Sequence, residues 1–293
     1  MVGLELRDVD AVAVVVDERG AVSSRVVAAG ADLAAAGVAA LGKLPVSAIG
    51  LPSVAAMNPE SPSTAAAMKA LAAKFDGSLG QAAPVASGTA AAAAEAWIGA
   101  ARDRRNVVYL GVADHATAGI LHDGRAMTGV HGRAPALAWL ALNPVEREDY
   151  RKTGCLEAEV AASGIVRRLV WRIKAGDRSR IQDAVGDDLA AIALDHVLDA
   201  ARAGDGVSIS VMRDTAKYLG MAAANLVAVA DPEVLVLGGI MASAADLLLE
   251  PVRTEIGRRL PPAMMQALTI EPAALGAEAA AIGATRLVAI GLA

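Results

Sequence analysis

The sequence predicts an α/β fold of two lobes, and three observations support this prediction. Hairpin patterns recur at 11–27 and 106–128, which indicates two related lobes with a cleft between them where a ligand would bind. Strand and helix patterns alternate along the chain, so we expect mixed rather than purely parallel sheets. Hydrophobic residues make up 55% of the chain but aromatic residues only 2%, so core packing must rely on small and aliphatic side chains, many of them alanine.

The first half is predicted to open with a hairpin. An apolar strand at 11–16 leads through a polar turn at 17–20 to a returning strand at 21–27. The segments that follow alternate in type: a helix at 31–41, a buried strand at 46–51, a Pro- and Ser-rich loop at 52–62, a helix at 64–75 and an extended piece at 83–85. Ser87-Gly88-Thr89 then predicts a helix N-terminus, because a hydroxyl can cap free backbone N–H groups.

The second half begins with another strand pair and is then mainly helical. Its predicted elements are strands at 106–110 and 119–121 with a turn at 111–118, a polar interruption at 144–153, helices over 156–203, a long helix at 207–230 capped near Asp205, a strand at 234–237 and a final helix at 277–292. The order of these elements gives each half a hairpin followed by helices and a further strand.

Composition excludes several classes of protein. The formal net charge is −5, and no basic run interleaved with aromatic residues suggests a nucleic-acid surface. The densest basic stretches, 102–105 and Arg167-Arg168, are predicted to be solvated helix faces. No uncharged apolar run reaches the ~20 residues of a membrane-spanning helix, and the N-terminus lacks a signal-peptide pattern, so we expect a cytoplasmic protein. Cys155 is the single cysteine, which excludes a disulfide within the chain and a cysteine-based metal cluster.

A set of motifs then points to one family. The motifs are Val15–Gly20, Glu95–Ala101, Asn106–Leu110, Gly124–Gly132, Gly154–Glu157, Ser163-Gly164, Asp231–Gly239 and Leu275–Ala284. In this order and spacing, over nearly its full length, the chain resembles the ROK family of sugar kinases and sugar-responsive repressors. The resemblance implies a two-lobed actin-like, ribonuclease H-like fold of the hexokinase type. It implies an N-terminal lobe at 1–105, a C-terminal lobe at 106–277, and a final helix at about 278–293 that packs back on the first lobe.

The resemblance also shows where the chain departs from the kinase pattern at its phosphate loops. The first loop of the family falls on 5–9, where both glycines are missing, and the second falls on 113–119, where only Gly119 survives. A phosphate loop needs backbone N–H groups at close approach, which the side chains of Arg7, Asp8 and Asp114 obstruct. The resemblance therefore implies that the site for ATP and magnesium is lost.

The base, sugar and zinc positions of the family are changed as well. The catalytic base falls on Ser87, whose hydroxyl cannot accept a proton near neutral pH unless another base activates it, and a helix-cap role explains this serine more simply. A sugar-binding Glu falls on Ala136, and a His that binds both sugar and zinc falls on Trp139. The zinc loop at 148–155 keeps only Cys155, too few thiolates for tetrahedral zinc, so we interpret it as a small buried residue and expect no metal.

Some candidate residues remain. Glu157 matches a sugar-binding Glu of the family, although a helix-start Glu favoured by the dipole explains it equally well. His131, Thr89 and His115 are further candidates for contact with a ligand, and a lone His such as His131 is as often structural. Gly238-Gly239 matches the nucleotide-side loop of the family, or persists for the turn alone.

Three functional hypotheses follow. The first is a non-enzymatic ROK-like protein without cofactors that binds a small polar metabolite, a sugar or a protein partner, as a homo-oligomer like the family. The alternative is a diverged ATP-dependent sugar kinase, glucokinase-like, that uses other groups such as Arg7, Asp114, His115 or Glu157. The third, a DNA-binding repressor, is disfavoured for two reasons. The family's repressors carry an N-terminal helix-turn-helix, for which a first predicted hairpin that starts by residue 11 leaves no room, and the chain is acidic.

Overall fold

Two five-stranded sheets form the framework of the protein. The computed structural model describes residues 1–8, 10–30, 32–43, 53–57 and 85–290. The strands of the first sheet are β1 (Val2–Leu6), β2 (Asp10–Val16), β3 (Val22–Ala29), β4 (Ser53–Met57) and β5 (Val85–Ala86). Those of the second sheet are β6 (Val107–Val112), β7 (Ala116–His122), β8 (Arg125–Ala126), β9 (Val234–Gly239) and β10 (Thr269–Pro272).

The two sheets have the same topology. The strand order is β3-β2-β1-β4-β5 in the first and β8-β7-β6-β9-β10 in the second. In each sheet the first three strands are antiparallel neighbours, and the last two add in parallel. The recurrence of hairpins in the sequence therefore corresponds to two lobes of one plan, and the predicted α/β fold with mixed sheets is confirmed.

Helices fill the connections and cover the sheets. They are α1 (Leu33–Gly42), α2 (Ser87–Ile98), α3 (Glu148–Thr153), α4 (Glu157–Val160), α5 (Ala162–Lys174), α6 (Ile181–Ala184), α7 (Leu194–Arg202), α8 (Gly206–Ala230), α9 (Ile240–Ser243), α10 (Ala245–Gly257), α11 (Pro262–Ala267) and α12 (Ala279–Ala289). Short 3-10 turns lie at Leu137–Trp139, Leu189–Ala191 and Gly276–Glu278. None of these helices is both long and apolar enough to cross a membrane.

Helices α2 and α12 pack closely because small residues face each other. The alanines at 90–94 of α2 are all buried. A Cβ atom on Gly283 of α12 would overlap the carbonyl group of Ala90, and one on Gly3 of β1 would overlap the carbonyl group of Ala281. Helix α12 therefore lies against α2 and the first sheet at backbone contact distance, as the alanine-rich composition predicts.

Local signals predicted several elements correctly. The long helix α8 begins where expected, because the Asp205 carboxylate accepts a hydrogen bond from the Ser208 N–H at 2.9 Å. The second hairpin is present, with longer strands than predicted, so that its turn shortens to 113–115.

Other predictions were wrong. The strand β1, which pairs antiparallel with β2, was not predicted, although the hairpin of β2 and β3 lies where expected. Residues 53–57, predicted as part of a loop, form a strand that pairs in parallel with β1. The strand β10 was not predicted at all. The predicted strand at 46–51 and helix at 64–75 lie outside the described residues.

Candidate functional site

The turn after the first strand of each sheet contacts the corresponding turn of the other sheet. The β1–β2 turn carries Arg7 and Asp8, and the β6–β7 turn carries Asp114 and His115. The Nε2 atom of His115 lies 2.6 Å from Oδ2 of Asp8, although the two residues are 107 positions apart in the chain. These turns occupy the positions that the family resemblance assigns to the two phosphate loops.

Glu157 joins the same contact from the second lobe. It is the first residue of α4, and its Oε1 atom lies 3.1 Å from Nδ1 of His115. Its other carboxylate oxygen accepts a hydrogen bond from the Ala116 N–H at 2.8 Å. Asp8, His115 and Glu157 therefore form a chain of carboxylate, imidazole and carboxylate, which we call the inter-turn bridge.

The bridge holds His115 in its charged form. The hydrogen bond with Glu157 is the largest influence and, helped by Asp8 and opposed by partial burial, raises the pKa of His115 from 6.5 to about 9. At neutral pH the imidazolium therefore donates one hydrogen bond to each carboxylate. Two carboxylates around one imidazolium leave the bridge with a surplus of one negative charge.

The described side chains of these two turns are poorly suited to contact phosphate oxygens. The Arg7 guanidinium is paired with Asp10, its Nε atom 2.6 Å from Oδ1, rather than presented to the cleft. Asp114 is exposed beside the bridge and adds a further negative charge. Phosphate sites need open backbone N–H groups or cations, and the described turns present carboxylates instead.

Glu5 and Ser87 lie next to each other behind the first turn. Glu5 sits near the end of β1 with 8% of its surface exposed, and burial raises the pKa of its carboxyl group to about 7. The Arg7 charge and a hydrogen bond with the Ser87 side chain partly oppose that rise. Ser87 was expected to cap its helix; instead Ala86 is the N-cap of α2 and no side chain caps the helix.

Sequence reasoning placed Glu5 in the first phosphate loop but missed its protonation. The available signal was an acidic residue inside an otherwise apolar segment, V-G-L-E-L. Such a residue is buried once the segment becomes a strand, and burial disfavours the charged form of a carboxyl group.

The other candidate residues make no hydrogen bond to the bridge among the described residues. The Thr89 side chain is buried, and its hydroxyl has no hydrogen-bond partner among the described residues. His131 is exposed in the segment that follows β8. Gly238 packs against the ring of buried Tyr109, and Gly239, with φ +63°, packs against the backbone of Val112, so both glycines have a packing role.

The segments that match the sugar and zinc positions are held together by backbone contacts. The Leu156 N–H donates to the Ala138 carbonyl oxygen at 2.9 Å, and Gly154, with φ +97°, packs against the same carbonyl group. Trp139 is 43% exposed. Cys155 is half-buried, so its interpretation as a buried residue was wrong.

Among the described residues, no three side chains of His, Cys, Asp or Glu are grouped as metal ligands. The chain folds much of the segment at the zinc-loop position into the helix α3. A single thiol on such a segment does not fit zinc.

An ionic network on the far side of α4 was missed by sequence reasoning. The Glu159 side chain is 3% exposed and accepts hydrogen bonds from Arg147 at 2.9 Å, Arg168 at 3.0 Å and the Tyr150 hydroxyl at 2.6 Å. The prediction that Arg167-Arg168 form a solvated helix face was wrong, since Arg168 is only 18% exposed and Arg167 pairs with Asp149. The polar face of α5 is turned toward these carboxylates instead of toward water.

Comparisons with known proteins agree with the fold. The ROK family model matches residues 53–290. A glucokinase of Halalkalibacterium halodurans is 30% identical over 200 residues, which cover 68% of this chain and 60% of that protein. The DNA-binding transcriptional dual regulator NagC of Escherichia coli is 27% identical over 164 residues, covering 56% of this chain and 39% of the regulator.

A ROK family glucokinase from Streptomyces griseus, solved in complex with glucose and AMPPNP, superposes with a TM-score of 0.78 at 20% identity. That match covers 98% of both chains and shows a shared fold. Kinases and sugar-responsive repressors are therefore both among the relatives, and the aligned regions span less than two thirds of the glucokinase and of the regulator matched by sequence.

Proposed function

Because the chain belongs to the ROK family, and because the inter-turn bridge lies at the positions that the family resemblance assigns to the phosphate loops, we propose that it is a non-catalytic regulatory or binding protein. The observation that carries the proposal is the 2.6 Å contact between Asp8 and His115 of the two turns. Phosphoryl transfer depends on positioning the phosphates, the metal and the nucleophile. The bridge fills the space between the two turns and leaves a negative surplus there.

The proposal includes a ligand and an assembly. Relatives named for glucose or for N-acetylglucosamine support a sugar or another small polar metabolite as the ligand. The assembly that binds this ligand is a homo-oligomer, and its location is the cytoplasm. Analytical ultracentrifugation would measure the assembly. A monomer at micromolar concentration would contradict that part.

Turnover and nucleotide binding test the proposal directly. We expect no ATP-dependent phosphorylation of glucose, mannose, xylose, N-acetylglucosamine or N-acetylmannosamine above the rate without protein, and no rise in melting temperature with ATP and magnesium. The Halalkalibacterium halodurans glucokinase assayed in parallel controls for the method. Turnover by this chain would contradict the proposal.

A double variant tests whether the bridge is the obstacle. Asp8→Gly combined with His115→Gly removes both side chains from the space between the turns and restores glycine at the two turns. We expect this variant to gain a nucleotide-dependent rise in melting temperature that the original protein lacks. The double variant Arg102→Gly with Arg104→Gly, on an exposed turn, serves as the matched control.

One observation favours the alternative of a diverged sugar kinase. The Glu5 carboxyl group has a pKa of about 7 and is hydrogen-bonded to the side chain of Ser87, which stands at the family's base position. A proton acceptor near neutral pH is therefore present there. If turnover is found and Glu5→Gln abolishes it while Glu18→Gln, on the exposed β2–β3 turn, does not, this alternative is the correct one.

A further inference from the structure

The second lobe contains a cavity of about 820 Å³ that no residue of the inter-turn bridge lines. Helices α5 and α8 form its walls, and the segment before α3, helix α4 and the residue Arg259 complete them. Its basic lining residues are Arg147, Arg167, Arg168, Lys217 and Arg259, and we call this site the arginine cavity.

The cations of the arginine cavity outnumber the carboxylates near them. Three guanidinium groups, those of Arg147, Arg167 and Arg168, share the carboxylates of Asp149 and Glu159. Lys217 and Arg259 each have one carboxylate partner, so the group as a whole carries a positive surplus. Like charges held close together repel each other, and an added anion would relieve that repulsion.

Two details show that the arginines are incompletely satisfied. The Nε atom of Arg168 is buried and has no hydrogen-bond partner among the described residues. Burial, together with the neighbouring charges of Arg147 and Arg168, lowers the pKa of Arg167. The first detail leaves one donor of Arg168 unused by the protein, and the second indicates an electropositive, partly desolvated environment.

The cavity wall also has an apolar part, beside the polar side chains of Asn143, Asp214 and Glu159. Leu142, Trp171, Tyr218 and Met221 line it, and Trp171 is 70% exposed although it is a large aromatic side chain. An exposed aromatic beside guanidinium groups suits a molecule with a ring or apolar body and an anionic end. The volume lies within the range of sites for small ligands.

We propose that the arginine cavity binds a small phosphate monoester with a ring-shaped or apolar body. The planar forks of the guanidinium groups match phosphate oxygens in pairs, which favours phosphate over a single carboxylate. The site is separate from the cleft, so the inference stands whether or not the cleft transfers phosphate. Helix α4 lies between the two sites, since Glu157 faces the bridge and Glu159 faces the cavity.

Calorimetric titration with a matched pair of probes tests this site. We expect phenyl phosphate to bind with one molecule per chain and to quench tryptophan fluorescence, and phenol to do neither at the same concentration. Inorganic phosphate should compete with phenyl phosphate. Equal binding of phenol, or tighter binding of citrate than of phenyl phosphate, would overturn the assignment to phosphate monoesters.

Variants locate the binding. Arg167→Gln should lower the affinity for phenyl phosphate about tenfold or more, because it removes a charge-assisted contact. Lys217→Gln should lower this affinity severalfold. Because Lys217 is exposed, its replacement is not expected to impair folding, and it provides the test if Arg167→Gln does not fold. Arg151→Gln, 77% exposed and outside the cavity lining, removes one charge from the same lobe as a control. Equal affinity in all four proteins would overturn the proposal.

Discussion

The inter-turn bridge and the arginine cavity combine charged side chains in opposite proportions. In the bridge, two carboxylates hold one imidazolium, whereas in the cavity three guanidinium groups share two carboxylates. Helix α4 contributes to both, through Glu157 on one side and Glu159 on the other, because residues two apart on a helix point in different directions. The contact between the two turns is therefore acidic, and the basic environment lies in another part of the second lobe.

The largest effect is expected from removing the central carboxylate of the cavity. Glu159→Gln leaves Arg147, Arg167 and Arg168 around the single carboxylate of Asp149. Breaking a buried ion pair by removing one partner costs about 3–5 kcal/mol, so we expect the free energy of unfolding to fall by that amount in urea titrations.

The matched control for this change is Glu146→Gln. Glu146 is 83% exposed and pairs with Arg151 at the surface, so its replacement should change stability by less than about 1 kcal/mol. If both variants lose the same stability, the cavity network is not the buried ionic cluster that the contacts indicate.

On the cleft side, the strongest effect should come from Glu5. Its carboxyl group has a pKa raised from 4.5 to about 7, so the folded state favours the protonated form. The stability that this gives is complete below pH 4.5 and is lost as the pH rises through 7. A neutral glutamine does not undergo this loss, and Glu5→Gln should therefore be more stable than the original protein at pH 8, by up to about 3 kcal/mol.

Chemical denaturation at several pH values measures this difference. The advantage of Glu5→Gln should shrink steadily between pH 7 and pH 4.5. Glu18→Gln, which removes a carboxylate from the exposed β2–β3 turn, controls for the change in net charge. A constant difference at all pH values would show that burial of the Glu5 charge is not its cause.

A smaller effect of opposite pH dependence is expected at the bridge. The pKa of His115 is raised to about 9, so its stabilising contribution is present below its ordinary value of 6.5 and is lost as the pH rises through 9. The side chain is 40% exposed, so solvent screening reduces the contribution to about 1 kcal/mol. His115→Gln should therefore lose about 1 kcal/mol at pH 6.5 and little above pH 9.5.

Thermal unfolding of His115→Gln and His122→Gln across this range tests the bridge. His122 is exposed at the end of the neighbouring strand β7 and serves as the histidine control. Nuclear magnetic resonance titration of the His115 ring would give the pKa itself. A value near 6.5 would show that the two carboxylates do not hold the ring in solution.

The sequence predicted those parts of the fold whose signals are local. Apolar runs around short turns predicted the hairpins, and the capping residue Asp205 predicted the start of α8. Each of these signals involves residues only a few positions apart in the chain. The prediction of a loop at 53–57 was wrong. The flanking Pro and Ser residues indicate a loop, whereas parallel pairing with β1 makes the segment a strand. Family resemblance drew attention to the two turns and to Glu157, but it did not predict the contacts among Asp8, His115 and Glu157.

By itself, the sequence determined that this protein has two lobes of one plan and a sugar-kinase-like framework. Only the tertiary structure decided that Asp8 and His115 meet across 107 residues, that Glu5 lies buried beside Ser87, and that Arg168 faces Glu159 rather than water. Periodicity and capping act between neighbours in the chain and can be read locally. Charge interactions depend on burial and on distances between remote segments, which the packing of the two sheets and their helices sets.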